Sequence, residues 1–92
     1  MSDKTFQFEL LTPETVLMRD RVREVVVPGR EGYFGVMAGH DHFATTLTKG
    51  WLTAKWADKT RRYHVDGGVV QVTPDKVVVC AEHAELTEIE PL

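Results

Sequence analysis

A chain of 92 residues with 14 acidic and 11 basic side chains carries a formal charge of −3, and 42% of it is hydrophobic. That length bounds it to one domain whose core removes only roughly 60–65% of the unfolded surface from water, so a partner often completes such a fold. Scattered lysines and arginines under a negative balance exclude the clustered basic patch that nucleic-acid phosphates require. The apolar runs fall short of the roughly 20 residues of a membrane helix, and no charged-apolar-small leader comes first, so the chain is expected to be soluble and to stay where it is made.

Phe6, Phe8 and Leu10 alternate as a half-buried strand does, and Thr12-Pro13-Glu14 turns it. The β-branched run Val25 to Val27 then breaks at Pro28-Gly29 into a loop punctuated by Gly32, Gly35 and Gly39 and closed by His40. A phosphate cradle needs a helix start carrying Lys-Ser/Thr, or helix amides facing a pyrophosphate; here only Val36-Met37-Ala38-Gly39 follows, so the loop reads as a corner between strands. After the Lys49-Gly50 turn, Trp51 to Trp56 and Arg61 to Val65 read as a hairpin about Asp58-Lys59. Asp66-Gly67-Gly68 predicts a tight turn or a close backbone approach.

Val70 and Val72 alternate, Thr73-Pro74-Asp75 turns, and Val77 to Val79 is a further β-branched run. Turn signals every ten residues or so, about this spacing throughout, suit an antiparallel sandwich or barrel. Cys80 is the single cysteine, so it forms no internal disulfide and is expected to pack as a small apolar residue in a reducing compartment. The stretch from Ala81 to Glu90 has the composition to begin a helix, but Pro91 stops it, and a helix that short must dock or fray.

The residues offer little chemistry. His40 and His42 lie on one side of an extended segment, and His64 is a third candidate zinc ligand, but H-x-H without further ligand spacing is more often a pair of ordinary loop histidines. Glu14, Glu31 and Asp41 sit in turn-like segments as solvated acids rather than as a hydrolytic pair. The single serine, Ser2, is in no nucleophile elbow. Phe34, Trp51, Trp56 and Tyr63 offer an aromatic platform for a sugar or single strand, against which stands ordinary core and interface packing. Trp51 and Trp56 are an odd number of positions apart, so a regular strand places one in the core and leaves the other to a partner.

In order along the chain, Phe8-Glu9-Leu10-Leu11-Thr12-Pro13-Glu14, the stretch from Val25 to His40, Thr45 to Gly50 and Val65 to Asp75 resemble the epsilon subunit of F-type ATP synthases, called delta in mitochondria. The resemblance runs from Phe6 to Leu86. It implies an all-β fold, a flattened antiparallel sandwich or barrel of about ten strands over residues 1–86, with 87–92 a short tail where a carboxy-terminal helical hairpin would begin.

The function it implies is that of a non-catalytic rotor subunit in the central stalk of a proton- or sodium-translocating synthase. Such a subunit grips the gamma subunit and rests on the c-ring, coupling ion-driven rotation to ATP synthesis or hydrolysis. The resemblance implies no catalytic residue, cofactor, metal, small-molecule substrate or nucleic acid. Membrane association would come only through the complex, at the cytoplasmic face of the bacterial inner membrane. Residue by residue, Arg30, Glu31, Gly32, Tyr33 and Phe34 match the loop that meets the c-ring, and Thr12, His40 and Thr45 match positions that face gamma.

Departures from the family pattern are Tyr33, where relatives often carry an acid, and Ala38-Gly39-His40-Asp41-His42, where P-G-H-A-P is common; losing both prolines leaves that segment less rigid. With Leu92 as its last residue, the chain is expected to lack the hairpin that restrains hydrolysis and the nucleotide site associated with it. Two other readings stand beside this one. One is a stand-alone β-sandwich module binding a ligand or protein through its aromatic set, and the other a metal enzyme built on His40, His42 and His64.

Overall fold

The computed structural model describes residues 4–39 and 41–91. Its strands are β1 (Phe6–Leu11), β2 (Val16–Val22), β3 (Glu24–Gly29), β4 (Gly32–Met37), β5 (Phe43–Leu47), β6 (Gly50–Lys55), β7 (Lys59–Thr73) and β8 (Lys76–Pro91). Both layers of the sandwich are built around β7 and β8. One layer runs β2-β1-β8-β7-β5, using the first part of β8 and the last part of β7, and the other runs β4-β3-β6-β7-β8 through their remaining parts. We refer to these as the first and second layers.

Strand pairing is antiparallel except between β1 and β8, which run parallel from Gln7↔Lys76 to Leu11↔Cys80. The layers are stitched at one end by Gly29↔Leu47 and by the Thr48 N–H, which donates to the Pro28 carbonyl at 2.9 Å. Among the described residues, eight continuous strands stand where about ten are expected. The reason is that β7 and β8, of 15 and 16 residues, each cross from one layer to the other without a chain break. Split at that crossing, they would supply the two missing segments.

Gly67 and Gly68 make the crossing possible. They are not a tight turn: both lie within β7, with φ of 73° and 133°, values that a side chain rarely tolerates. At Gly68 the backbone passes so near β8 that an added Cβ would run into the Cys80 carbonyl oxygen and the Ala81 Cα. The expected close approach is thus what the pair provides.

Alternation decides what is inside. Phe6, Phe8 and Leu10 of β1, Val70 and Val72 of β7, and Val77, Val79 and Ala81 of β8 are all buried, as are Val25 and Val27 of β3. Each of these phenylalanine, leucine and valine side chains contributes about 1.5–3 kcal/mol by leaving water. The hairpin about Asp58-Lys59 forms as expected, closed by the Trp56 N–H donating to the Lys59 carbonyl at 2.9 Å. Thr12 and Thr15 close the β1–β2 turn by donating N–H groups to each other's carbonyls.

Two expectations are corrected. Cys80 is exposed rather than packed: Val77, Val79 and Ala81 take the inward phase of β8, so Cys80 points out. The stretch from Ala81 to Glu90 forms strand, not helix, as part of β8. Its helix-forming alanines and glutamates are overridden by the long edge of β7, which pairs with it as far as Lys59↔Pro91. The Thr87 hydroxyl donates to the Arg62 carbonyl at 2.9 Å and Arg62 pairs with Glu88 at 3.0 Å, which holds the register around a bulge between Arg62 and Tyr63.

Because Gly68 combines a left-handed φ with steric contact against β8, Gly68→Ala is expected to lower the unfolding free energy by about 2–4 kcal/mol. Urea denaturation measures this, with Gly32→Ala, whose added Cβ meets nothing within 4 Å, as the milder reference.

Candidate interaction surfaces

Arg30 and Glu31 form the exposed tip between β3 and β4, bracketed by the Gly29↔Gly32 pair. Gly32 leaves the tip at φ 121°, a conformation that requires glycine. The next two side chains then part to opposite faces of β4. Phe34 turns inward and meets Phe43 edge-on, with centroids 5.4 Å apart at 62°. Tyr33 turns outward and is 57% exposed.

Tyr33 also has a structural duty. β3 pairs with β6 only from Glu24↔Lys55 to Val26↔Thr53 and then diverges toward β5, leaving the Trp51 N–H without a ladder partner on that side. The Tyr33 hydroxyl accepts that N–H at 3.0 Å. Gly50 leaves room for it, since an added Cβ would press on the hydroxyl and on Pro28.

The expected c-ring residues are therefore contiguous, at one end of the sandwich. The expected gamma residues are not. Thr45 lines a hollow of about 490 Å³ together with Arg30, Glu31, Phe34 and Phe43, so it belongs spatially to the β3–β4 tip. Thr12 lies at the end of β1, beside Leu11, Pro13 and Cys80. β1 and β5 are three strand spacings apart in the first layer, about 14 Å. His40 lies outside the described residues.

Between Thr12 and β5 runs a surface that the expected site residues do not include. Register links Val16 to Leu11, Leu11 to Cys80, Cys80 to Val69 and Val69 to Thr46, forming one uncharged row across all five strands on the outer face of the first layer. Val69 is 54% and Val16 46% exposed. The next row along the same face is mixed, with Val78 and Ala44 beside Gln71, Arg19 and Glu9, and Glu9 bridges Arg19 at 3.3 Å and Lys76 at 3.4 Å. Charge thus enters the face one row away from the uncharged one. Its signal in the sequence is that Val77 to Cys80 and Val69 to Val70 are apolar on both strand phases, whereas a half-solvated strand should alternate.

The other candidate residues are dispersed. Tyr63 is core, Phe34 is at the β3–β4 end, and Trp56 is half-buried beyond β6, its indole N–H donating to Asp20 at 3.1 Å with Lys59 and Arg61 near the ring. Trp51 is 45% exposed on the outer face of the second layer, edge-on to His64 at 5.1 Å. No single aromatic platform results. His42 is exposed before β5, remote from the Trp51–His64 pair, and among the described residues no three metal-ligating side chains converge.

The fold is an all-β sandwich whose exposed features are a glycine-framed tip and an apolar row. The family described as ATP synthase, Delta/Epsilon chain, beta-sandwich domain matches residues 5–87, and the chain belongs to it. Curated relatives include the ATP synthase epsilon chains of Brucella suis and Brucella abortus, each 44% identical over 90 residues, covering 96% of this chain and 67% of the relative. Among solved structures, a chain of the Euglena gracilis mitochondrial ATP synthase superposes with a TM-score of 0.83 at 22% identity, over 89% of this chain and 53% of that one. A chain of the Tetrahymena thermophila mitochondrial ATP synthase central stalk and c-ring gives 0.75 at 11% identity, over 92% and 69%. This chain therefore spans two-thirds of the curated relatives' length and about half of the Euglena chain.

Removing the hydroxyl in Tyr33→Phe is expected to cost about 0.5–1 kcal/mol and to speed hydrogen exchange at the Trp51 amide selectively. Amide exchange followed by NMR checks it, since a general destabilisation would speed all strands alike.

Proposed function

We propose that this chain is a non-catalytic central-stalk subunit of a proton- or sodium-translocating F-type ATP synthase, held between the gamma subunit and the c-ring. Membership of the delta/epsilon family over residues 5–87 carries this reading. The relatives named ATP synthase epsilon chain and the central-stalk title of a structural neighbour support it. In this reading the complex sits at the cytoplasmic face of the bacterial plasma membrane, and the chain reaches the membrane only through its partners.

The β3–β4 tip supplies the c-ring contact. Glu31 meets a basic or amide group on the ring's polar loops, Arg30 flanks it, and Gly32 allows a close backbone approach. Tyr33 and Phe34 contribute aromatic area, Tyr33 at a position where relatives often have an acid. Gamma covers the apolar row on the first layer, with Thr12 supplying a polar contact at one edge, and Thr45, on the opposite face of β5 beside the β3–β4 tip, is assigned to gamma by its match to the family pattern alone. His40 is assigned to the same interface by its match to the family pattern.

The sandwich then acts as a stiff coupling. One charge crossing the membrane supplies about 2.3 kcal/mol per 100 mV, and several accumulate per ATP, so the joint must hold a stored torque. A load at Arg30-Glu31 passes through Gly29↔Leu47 into β5, from β5 into β7, and from β7 through β8 to β1. After the single Gly29↔Leu47 pair, each step is a backbone ladder over a close-packed interior, which deforms little. No cofactor or catalytic group is needed for this role.

Native mass spectrometry with the gamma subunit and catalytic head of its own source is expected to show one copy bound per head, and no binding would overturn the reading. Cys80, exposed in the free chain, is expected to react with iodoacetamide without denaturant and to be protected roughly tenfold once gamma is bound, while Val69→Glu weakens that complex by a similar factor.

A further inference from the structure

The strongest unused feature of the fold is the free edge of β8. β1 leaves β8 after Leu11↔Cys80, and from Ala81 to Pro91 the described residues pair β8 only with β7. Alternate N–H and C=O groups along this stretch therefore face water, the condition under which a sheet accepts another strand. The free edges of β2 and β4 are shorter, at 7 and 6 residues.

The side chains on this edge differ by face. Register with Tyr63 and Arg61 places Leu86 and Ile89 on the inner side of β8, yet they are 45% and 52% exposed, so the first layer does not cover them. On the outer side, register with His64, Arg62 and Thr60 aligns Glu85, Glu88 and Glu90. Of these only Glu88 has a cation in the observed ion pairs, Arg62.

We propose that the free edge of β8 is a strand-addition site for an extended basic segment of another protein. The segment alternates apolar residues, which cover Leu86 and Ile89, with lysine or arginine residues, which meet Glu85 and Glu90. Backbone ladder bonds supply the contact and the alternation supplies the selectivity. A second copy of this chain is disfavoured as occupant, because edge-to-edge pairing would set glutamates against glutamates in a desolvated ladder. The proposal does not depend on the stalk reading, because it uses neither the β3–β4 tip nor the apolar row.

The test titrates the intact chain with the peptide Lys-Val-Arg-Val-Lys-Ile-Arg-Val and follows amide NMR shifts and hydrogen exchange. Alternate amides between residues 81 and 91 are expected to shift and gain protection, with affinity falling as salt rises. The double variant Glu85→Lys/Glu90→Lys, whose surface positions leave folding intact as its spectrum should report, is expected to bind roughly tenfold more weakly or not at all. Undisturbed β8 amides, equal binding by the double variant, or equal binding of a peptide with glutamate at every cationic position would each overturn the proposal. So would concentration-dependent protection of the same amides without peptide, which would make a second copy the occupant.

Discussion

The antiparallel pairing of β7 with β8, running from Lys59↔Pro91 to Thr73↔Lys76 through a bulge at Arg62/Tyr63, is the constraint on which the rest of the structure depends. Neither strand belongs to one layer. Where Gly67 and Gly68 take positive φ and Gly68 closes on Cys80, the pair bends together and passes from the second layer to the first. All other strands are placed by this ribbon. β6 adds to the early part of β7, β5 to its late part, and β1 to the first part of β8, and each pairing settles which side chains reach the common core.

Such a plan makes the sandwich a single hydrogen-bonded surface folded over itself rather than two sheets held by side chains alone. The Gly29↔Leu47 pair and the Thr48 bond to Pro28 join its ends beside the β3–β4 tip. A force applied at that tip enters the ladder directly. In the proposed role this is the useful property, since a stalk joint that yielded would dissipate the energy of rotation before it reached the head. The charged rows around Glu9 add little rigidity, because exposed ion pairs contribute about 0–1 kcal/mol. Rigidity lies in the ladders and the apolar interior.

Local patterns were legible where one phase of a strand was apolar and the other polar. Phe6, Phe8 and Leu10 could be assigned to the core at sight, and the Asp58-Lys59 hairpin was evident from its flanks. The β3–β4 tip could also be found, because Gly29 and Gly32 mark a corner and Arg30-Glu31 is too polar to be buried. Cys80 was misread for the opposite reason: in Val77-Val78-Val79-Cys80 both phases are apolar, and nothing local says which one faces out. The tail was misread because a run of alanine and glutamate favours helix in isolation, while the partner strand that captures it lies some twenty residues earlier, about the span of the hairpin itself.

The family, the all-β class and the glycine-framed tip were determined by the sequence itself, through alternation, turn chemistry and the order of its motifs. Those signals act over a few residues and survive without knowledge of what lies beside them. Only the tertiary structure decided that Thr45 sits with the tip while Thr12 does not, that Leu11, Cys80 and Val69 form one apolar row, and that β8 ends in an open edge. Each of these depends on register between strands distant in sequence, and a shift of one residue would send every side chain of a strand to the other face.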